Sequence, residues 1–235
     1  VCPTEAFHSS PVIGALGGDG TPRVTIGTLG LYAWSLSAQT GAVAPGWPYV
    51  QGDTVYSTAA LANLSGGATS VVLGGDSGPG DGLGVRGGIL RAISGAGQTQ
   101  WQTFNDDIMR SSPAVGDIDG NGSQTIVSGV GDYWARQPGG ATDSTKVVAY
   151  SPAGQLRWKH DVGGYTMGSP ALADVEGVGH AQVVIGTTDG PDPGKVWVLD
   201  QNGNPLPNWA GRDSGGGVVI GGITTADVGS RGYQD

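Results

Sequence analysis

The chain has 235 residues, 46 of them glycine, and carries 11 Lys and Arg against 20 Asp and Glu for a net charge of −9. It shows no basic cluster of the kind that nucleic acid or an anionic membrane surface demands, which argues against both as partners. No apolar run approaches the ~20 residues that span a bilayer, and the glycines lack the every-third spacing of collagen.

Residues 1–7 read as an N-terminal extension holding Cys2, the single cysteine, which either pairs outside this chain or is incidental. From residue 8 the chain repeats. Ser10-Pro11-Val12-Ile13-Gly14-Ala15-Leu16 returns as Ser57-Thr58-Ala59-Ala60-Leu61-Ala62-Asn63, then as Ser112-Pro113-Ala114-Val115-Gly116-Asp117-Ile118. It returns again as Ser169-Pro170-Ala171-Leu172-Ala173-Asp174-Val175, and a fifth copy runs from Gly222 to Val228. The steps are 47, 55, 57 and 53 residues, a period that marks supersecondary units stacked on one another.

Each unit reads as four short strands divided by turn residues, with no useful helical periodicity. The recurring segment is the first strand. The second is Arg23–Gly27, Ser70–Gly74, Thr125–Gly129 and Gln182–Gly186, and the third is Leu31–Trp34, Leu90–Ile93, Val147–Tyr150 and Val196–Leu199. On the third strand Ala33, Ala92, Ala149 and Val198 make a small face, and Trp34, Ile93, Tyr150 and Leu199 a bulky one. The fourth strand brings Trp47, Trp101, Trp158 and Trp209 in constant phase, after hairpin turns such as Pro152-Ala153-Gly154-Gln155. Four-stranded units with aromatics in fixed phase predict an all-β fold, a β-propeller of about four complete blades plus the start of a fifth. A stack of sandwiches would not keep the tryptophan in phase. The blades are 8–56, 57–110, 111–168 and 169–222, with 223–235 the first strand of an incomplete fifth. That count predicts an arc, completed by further blades of a longer propeller or by another chain.

At Asp117-Ile118-Asp119-Gly120-Asn121-Gly122, followed by Ile126-Val127, the chain resembles an FG-GAP or VCBS-type repeat. The third and fourth strands, as in Val147–Trp158, are similar to quinoprotein-type propeller repeats. The resemblance covers residues 8–235 and implies an integrin-α-like propeller, in which the turn after the first strand often holds structural Ca2+. Calcium needs six or more oxygens, and only the third repeat offers closely spaced donors: Asp117, Asp119, Asn121 and the Ser123 carbonyl. The ninth position, where the family places a carboxylate, is Thr125. The fourth repeat keeps Asp174 and Glu176, the fifth Asp227 and Asp235, the first Asp19. The alternative is that these side chains cap their own turns.

Function is expected on the face shared by the loops between second and third strands and the connections between blades. Those loops are long and unequal: 75–88, 131–145 and 188–194. Of the seven tryptophans, six fall in phase on strands three and four; Trp134 alone does not. It lies in a polar loop beside Asp132, Tyr133 and Arg136, a mixture suited to sugar rings and their hydroxyls. The alternative folds that loop back so that Trp134 caps a blade edge. His8, His160 and His180 make no metal spacing, with His180 expected to face solvent. Asp106-Asp107 is expected to be a solvated turn, the alternative being acid/base chemistry near the central channel. Two Asn-x-Ser/Thr triplets, at Asn63 and Asn121, read as chance. The leading expectation is a secreted, extracellular recognition module for carbohydrate or a cell-surface protein. The alternatives are a structural component of a secreted assembly and a propeller-fold polysaccharide lyase or hydrolase.

Overall fold

The computed structural model describes residues 6–64, 66–78, 83–228 and 232. Among the described residues sixteen strands form four antiparallel four-stranded sheets, each drawn from one repeat. The first holds β1 (Val12–Ala15), β2 (Pro22–Gly27), β3 (Tyr32–Ser37) and β4 (Tyr49–Val50). The second holds β5 (Ala60–Ala62), β6 (Ser70–Ser77), β7 (Gly87–Ile93) and β8 (Thr99–Asn105). The third holds β9 (Ala114–Gly116), β10 (Thr125–Gly129), β11 (Lys146–Tyr150) and β12 (Leu156–Asp161). The fourth holds β13 (Ala171–Ala173), β14 (Gln182–Gly186), β15 (Lys195–Leu199) and β16 (Arg212–Asp213). The sheets are the blades of a propeller and do not close into a ring: contacts run from β1 to β5, β9 and β13 in turn. Of the fifth repeat, residues 223–228 form no strand, and Asp235 lies outside the described residues, as do Cys2 and Asp81.

Three apolar cores fill the three blade–blade interfaces, each joining a small face to a bulky one. Ala33 of the first blade shares a core with Ile93 of the second, Ala92 with Tyr150 of the third, and Ala149 with Leu199 of the fourth. The alternation of side chains along a strand produces this directly, since neighbours in sequence face opposite sides of a sheet.

The phased tryptophans bind one blade to the next. Trp47 Nε1 donates to Gly95 O at 3.0 Å, Trp101 Nε1 to Pro152 O at 2.9 Å and Trp158 Nε1 to Gln201 O at 2.9 Å. Each acceptor sits in the hairpin turn before the fourth strand of the following blade. The turn glycines let the ring lie flat on the backbone: a Cβ on Gly154 or Gly203 would stand 2.6 Å from the Trp101 or Trp158 ring. Two of the phased tryptophans lie outside the fourth strands expected to hold them. Trp47 and Trp209 precede the short strands β4 and β16 instead of lying on fourth strands. Prolines at 45, 48, 205 and 207 surround them, and proline cannot donate to a ladder.

Hydroxyl groups join the innermost strands. Ser10 N donates to Thr58 Oγ1 at 3.0 Å, and Thr58 N to Ser112 Oγ at 2.8 Å. The second copy of the repeat therefore begins, in space, at Thr58 and not at Ser57. Its register agrees, with Ala60 opposite Val72 as Val12 is opposite Thr25. That one-residue shift makes Asp53 the counterpart of Asp107.

Candidate ligand-binding site

One end of the sheets carries the inter-blade connections and the loops between second and third strands. There a cavity of about 400 Å³ opens between the first three blades. Asp53, Thr54 and Tyr56 line it from the connection into the second blade, and Arg110 from the connection into the third. Asp76 and Gly78 come from the β6 end, and Tyr133 and Trp134 from the β10–β11 loop.

A buried carboxylate builds one wall. Asp107 is fully buried and accepts the N–H groups of Ile108, Tyr133, Trp134 and Ala135 at 2.7, 3.0, 2.7 and 2.9 Å. This fixes the 3-10 turn Trp134–Arg136 and aims the Tyr133 and Trp134 rings. Asp107 is thus no solvated turn residue, contrary to the sequence expectation. The counterpart Asp53 makes the same local bond, accepting Thr54 N at 2.7 Å as Asp107 accepts Ile108 N, but is only half-buried and lines the cavity.

Trp134 folds back as a clasp between the second and third blades. Its Nε1 donates to Asp76 Oδ1 and to Gly87 O, both at 3.0 Å, and the Arg86 guanidinium lies 4.6 Å from the ring centroid. Arg86 also donates to Trp134 O at 3.1 Å and Pro138 O at 3.2 Å. Tyr133 meets Trp134 edge-on at 4.9 Å and is 40% exposed, which makes it the open ring at the rim. Of the other two predicted residues, Asp132 is buried behind the cavity, 3.0 Å from Arg110, which in turn covers Tyr56 at 4.7 Å. Arg136 turns to the fourth blade, 2.5 Å from Asp189 and 5.0 Å over Tyr165. Sequence reading missed Tyr56, Arg110 and Asp53; aligning the copies on Thr58 was the signal that would have paired Asp53 with Asp107.

Burial pushes the Asp76 carboxyl up to about 6, the Trp134 indole N–H pulls it down, and the Asp53 and Asp107 carboxylates raise it further. Burial also pushes the Asp132 carboxyl upward against the pull of Arg110 and Arg136. A carboxyl raised in the fold contributes stability that is complete below its unfolded value of 3.8 and is lost as pH rises through about 6. Asp76→Asn should therefore flatten the fall in unfolding free energy between pH 4 and 8 by up to about 3 kcal/mol. Urea unfolding of both proteins at pH 4, 6 and 8 checks this; parallel curves would refute it.

The expected calcium residues lie at the opposite end of the sheets, on the β9–β10 turn. Asp117 accepts N–H groups from Asp119, Gly120, Asn121 and Gly122 at 3.0, 2.8, 3.3 and 2.6 Å. Asn121 Oδ1 accepts Ser123 N at 2.8 Å, and Asp119 is ion-paired with Arg157 at 2.8 Å. Among the described residues no group of three or more His, Cys, Asp or Glu could hold a metal. The Asp117 and Asn121 side-chain oxygens are thus engaged by backbone N–H groups of their own turn, and Asp119 by Arg157. In the fourth blade Asp174 caps Val178 N and Gly179 N, at 2.9 and 2.7 Å. His180 is half-buried against Gly120 instead of facing solvent, while His8 and His160 pack edge-on against Tyr56 and Trp197. A further cleft of about 460 Å³ near the β9–β10 turn is lined by no aromatic ring.

No protein-family profile matches the sequence, and no curated protein is significantly similar to it. Solved structures are. The exotype rhamnogalacturonan lyase YesX is 15% identical with a TM-score of 0.57, over 97% of this chain and 45% of its own. The Dos1 propeller is 12% identical with a TM-score of 0.56, over 89% of this chain and 47% of its own. The quinohemoprotein alcohol dehydrogenase of Comamonas testosteroni is 18% identical with a TM-score of 0.50, over 84% and 36%. The chain thus spans less than half the length of each. At such identities the likeness establishes the propeller fold and leaves function to the site. Among the described residues no helix is long and apolar enough to cross a membrane.

Proposed function

We propose that the chain is an extracellular recognition module and that the cavity between the first three blades takes a neutral, hydroxyl-rich ligand, a carbohydrate unit. The observation that carries this reading is the exposed Tyr133 ring standing over a cavity that Asp53 and Asp76 furnish with acceptors. A sugar offers an apolar face to such a ring and hydroxyl donors to such carboxylates. The volume lies within the range of small-ligand clefts, about 300–1,000 Å³. Asp53, Asp76 and the buried Asp107 and Asp132 behind them outnumber Arg110 and Arg86, so an acidic sugar is the poorer match. FG-GAP or VCBS ancestry, with quinoprotein-like third and fourth strands, is our reading of the repeat type.

A lyase or hydrolase reading has one observation in its favour, the Asp76 carboxyl raised to about 6. Its Oδ1, however, already accepts the Trp134 indole and Ser77 N at 3.0 and 2.8 Å, a holding role. A glycan array separates the readings. Wild type should retain neutral glycans unchanged, and Tyr133→Ala should weaken retention about tenfold, the loss of one good stacking contact. Equal retention by Tyr133→Ala, or turnover of a bound glycan, would overturn the proposal. Trp134→Ala is the less informative variant, since it also opens the clasp between blades.

A further inference from the structure

The β9–β10 turn has acidic spacing suited to a cation, yet a positive charge reaches it from its own blade. Arg157 on β12 donates from Nη2 to Asp119 Oδ1 at 2.8 Å and from Nη1 to Thr125 Oγ1. Thr125 is the ninth residue counted from Asp117, where a closing carboxylate would complete an oxygen cage. The first blade offers an independent second case. Its ninth position is Arg23, which faces Gly14 across the ladder as Thr125 faces Gly116. Arg23 pairs with Asp19 at 2.8 Å and donates to Gly95 O at 2.8 Å. Asp19 and Asn121 hold the same place in the two turns. In the fourth blade the ninth residue is Gln182, whose amide donates to His180 O at 3.0 Å and accepts Val175 N at 2.9 Å.

All three turns are thus closed by nitrogen donors from side chains. A divalent ion at Asp119 would have to share that carboxylate with a permanently charged, planar guanidinium already engaged by both of its terminal nitrogens. We infer that Arg157 holds the Asp117–Asn121 turn closed as a built-in counter-ion, and that this turn takes no divalent cation. The blade is then indifferent to chelators, and its stability depends on an ion pair half-shielded from water.

Thermal unfolding and calorimetric titration of the full chain test this. The wild type should give no heat with CaCl2 up to about 5 mM, above the range of weak extracellular calcium modules. Its Tm should be the same in chelator and in calcium. Arg157→Met should lower Tm by about 2–4 °C in a chain of this size, and Arg157→Lys by less. Calcium binding by the wild type that Asp119→Asn abolishes would overturn the inference. So would an Arg157→Met protein as stable as the wild type. The wild-type titration decides the metal question even if a variant fails to fold.

Discussion

Trp47→Ala should lower the unfolding free energy by about 3–5 kcal/mol, the cost of emptying a packed aromatic site. The Trp47 side chain is 7% exposed, fills the core between the first two blades and gives its indole N–H to the next blade's turn. Truncation leaves a cavity in that core and removes one of the two donors to the Gly95 carbonyl, which Arg23 still reaches. Trp101→Ala and Trp158→Ala should follow at somewhat smaller cost, since both rings are half-buried. Trp209 supplies the control. It is 39% exposed, with Arg212 5.5 Å over its ring, so Trp209→Ala should cost less than about 1 kcal/mol. Urea unfolding of the four variants would rank them. A Trp209→Ala protein as unstable as Trp47→Ala would show that phase in the repeat does not translate into blade docking.

Asp107→Ala should be comparably damaging, at about 3–5 kcal/mol, because it leaves buried N–H groups without their charged acceptor. Four N–H donors converge on this carboxylate, three of them from the loop that carries Tyr133 and Trp134. The loop should loosen before the rest of the fold, seen as faster amide exchange at residues 133–135. Asp53→Ala removes the counterpart carboxylate, which holds one local N–H and otherwise faces the cavity. That variant should keep nearly all its stability and lose ligand. If the two aspartates gave equal losses of stability, their different burial would not be what sets their roles.

The repeat made the blades legible because its spacing and its hydrophobic alternation are local properties of the chain. Pairing of Ala92 with Tyr150 across an interface follows from which residues share a face, and the sequence carries that information. Exact register was less legible. Ser57 and Thr58 are both hydroxyl residues, and only the bond from Thr58 N to Ser112 showed which one continues the inner ladder. The same ambiguity hid the equivalence of Asp53 and Asp107. Trp134 is foreign to the repeat, and a loop folded back on a blade edge is one of the two directions its sequence allows, but the partners that select it are not readable there. That direction depends on Arg86 and Asp76, 48 and 58 residues away, which reach it only once two blades have stacked. Turn composition likewise could not show that Arg157, 38 residues beyond Asp119, would reach the acidic turn.

Trp47, Trp101 and Trp158 each tie one blade to the next, whereas the Trp134 clasp borders the cavity proposed to take a ligand. Indole N–H signals in a 1H–15N spectrum report on all seven tryptophans separately. Titration with a neutral oligosaccharide retained on the array should shift the Trp134 signal progressively and leave those of Trp47, Trp101 and Trp158 in place. A stationary Trp134 signal, with the oligosaccharide bound and moving the signals of the docking tryptophans instead, would contradict that division of roles.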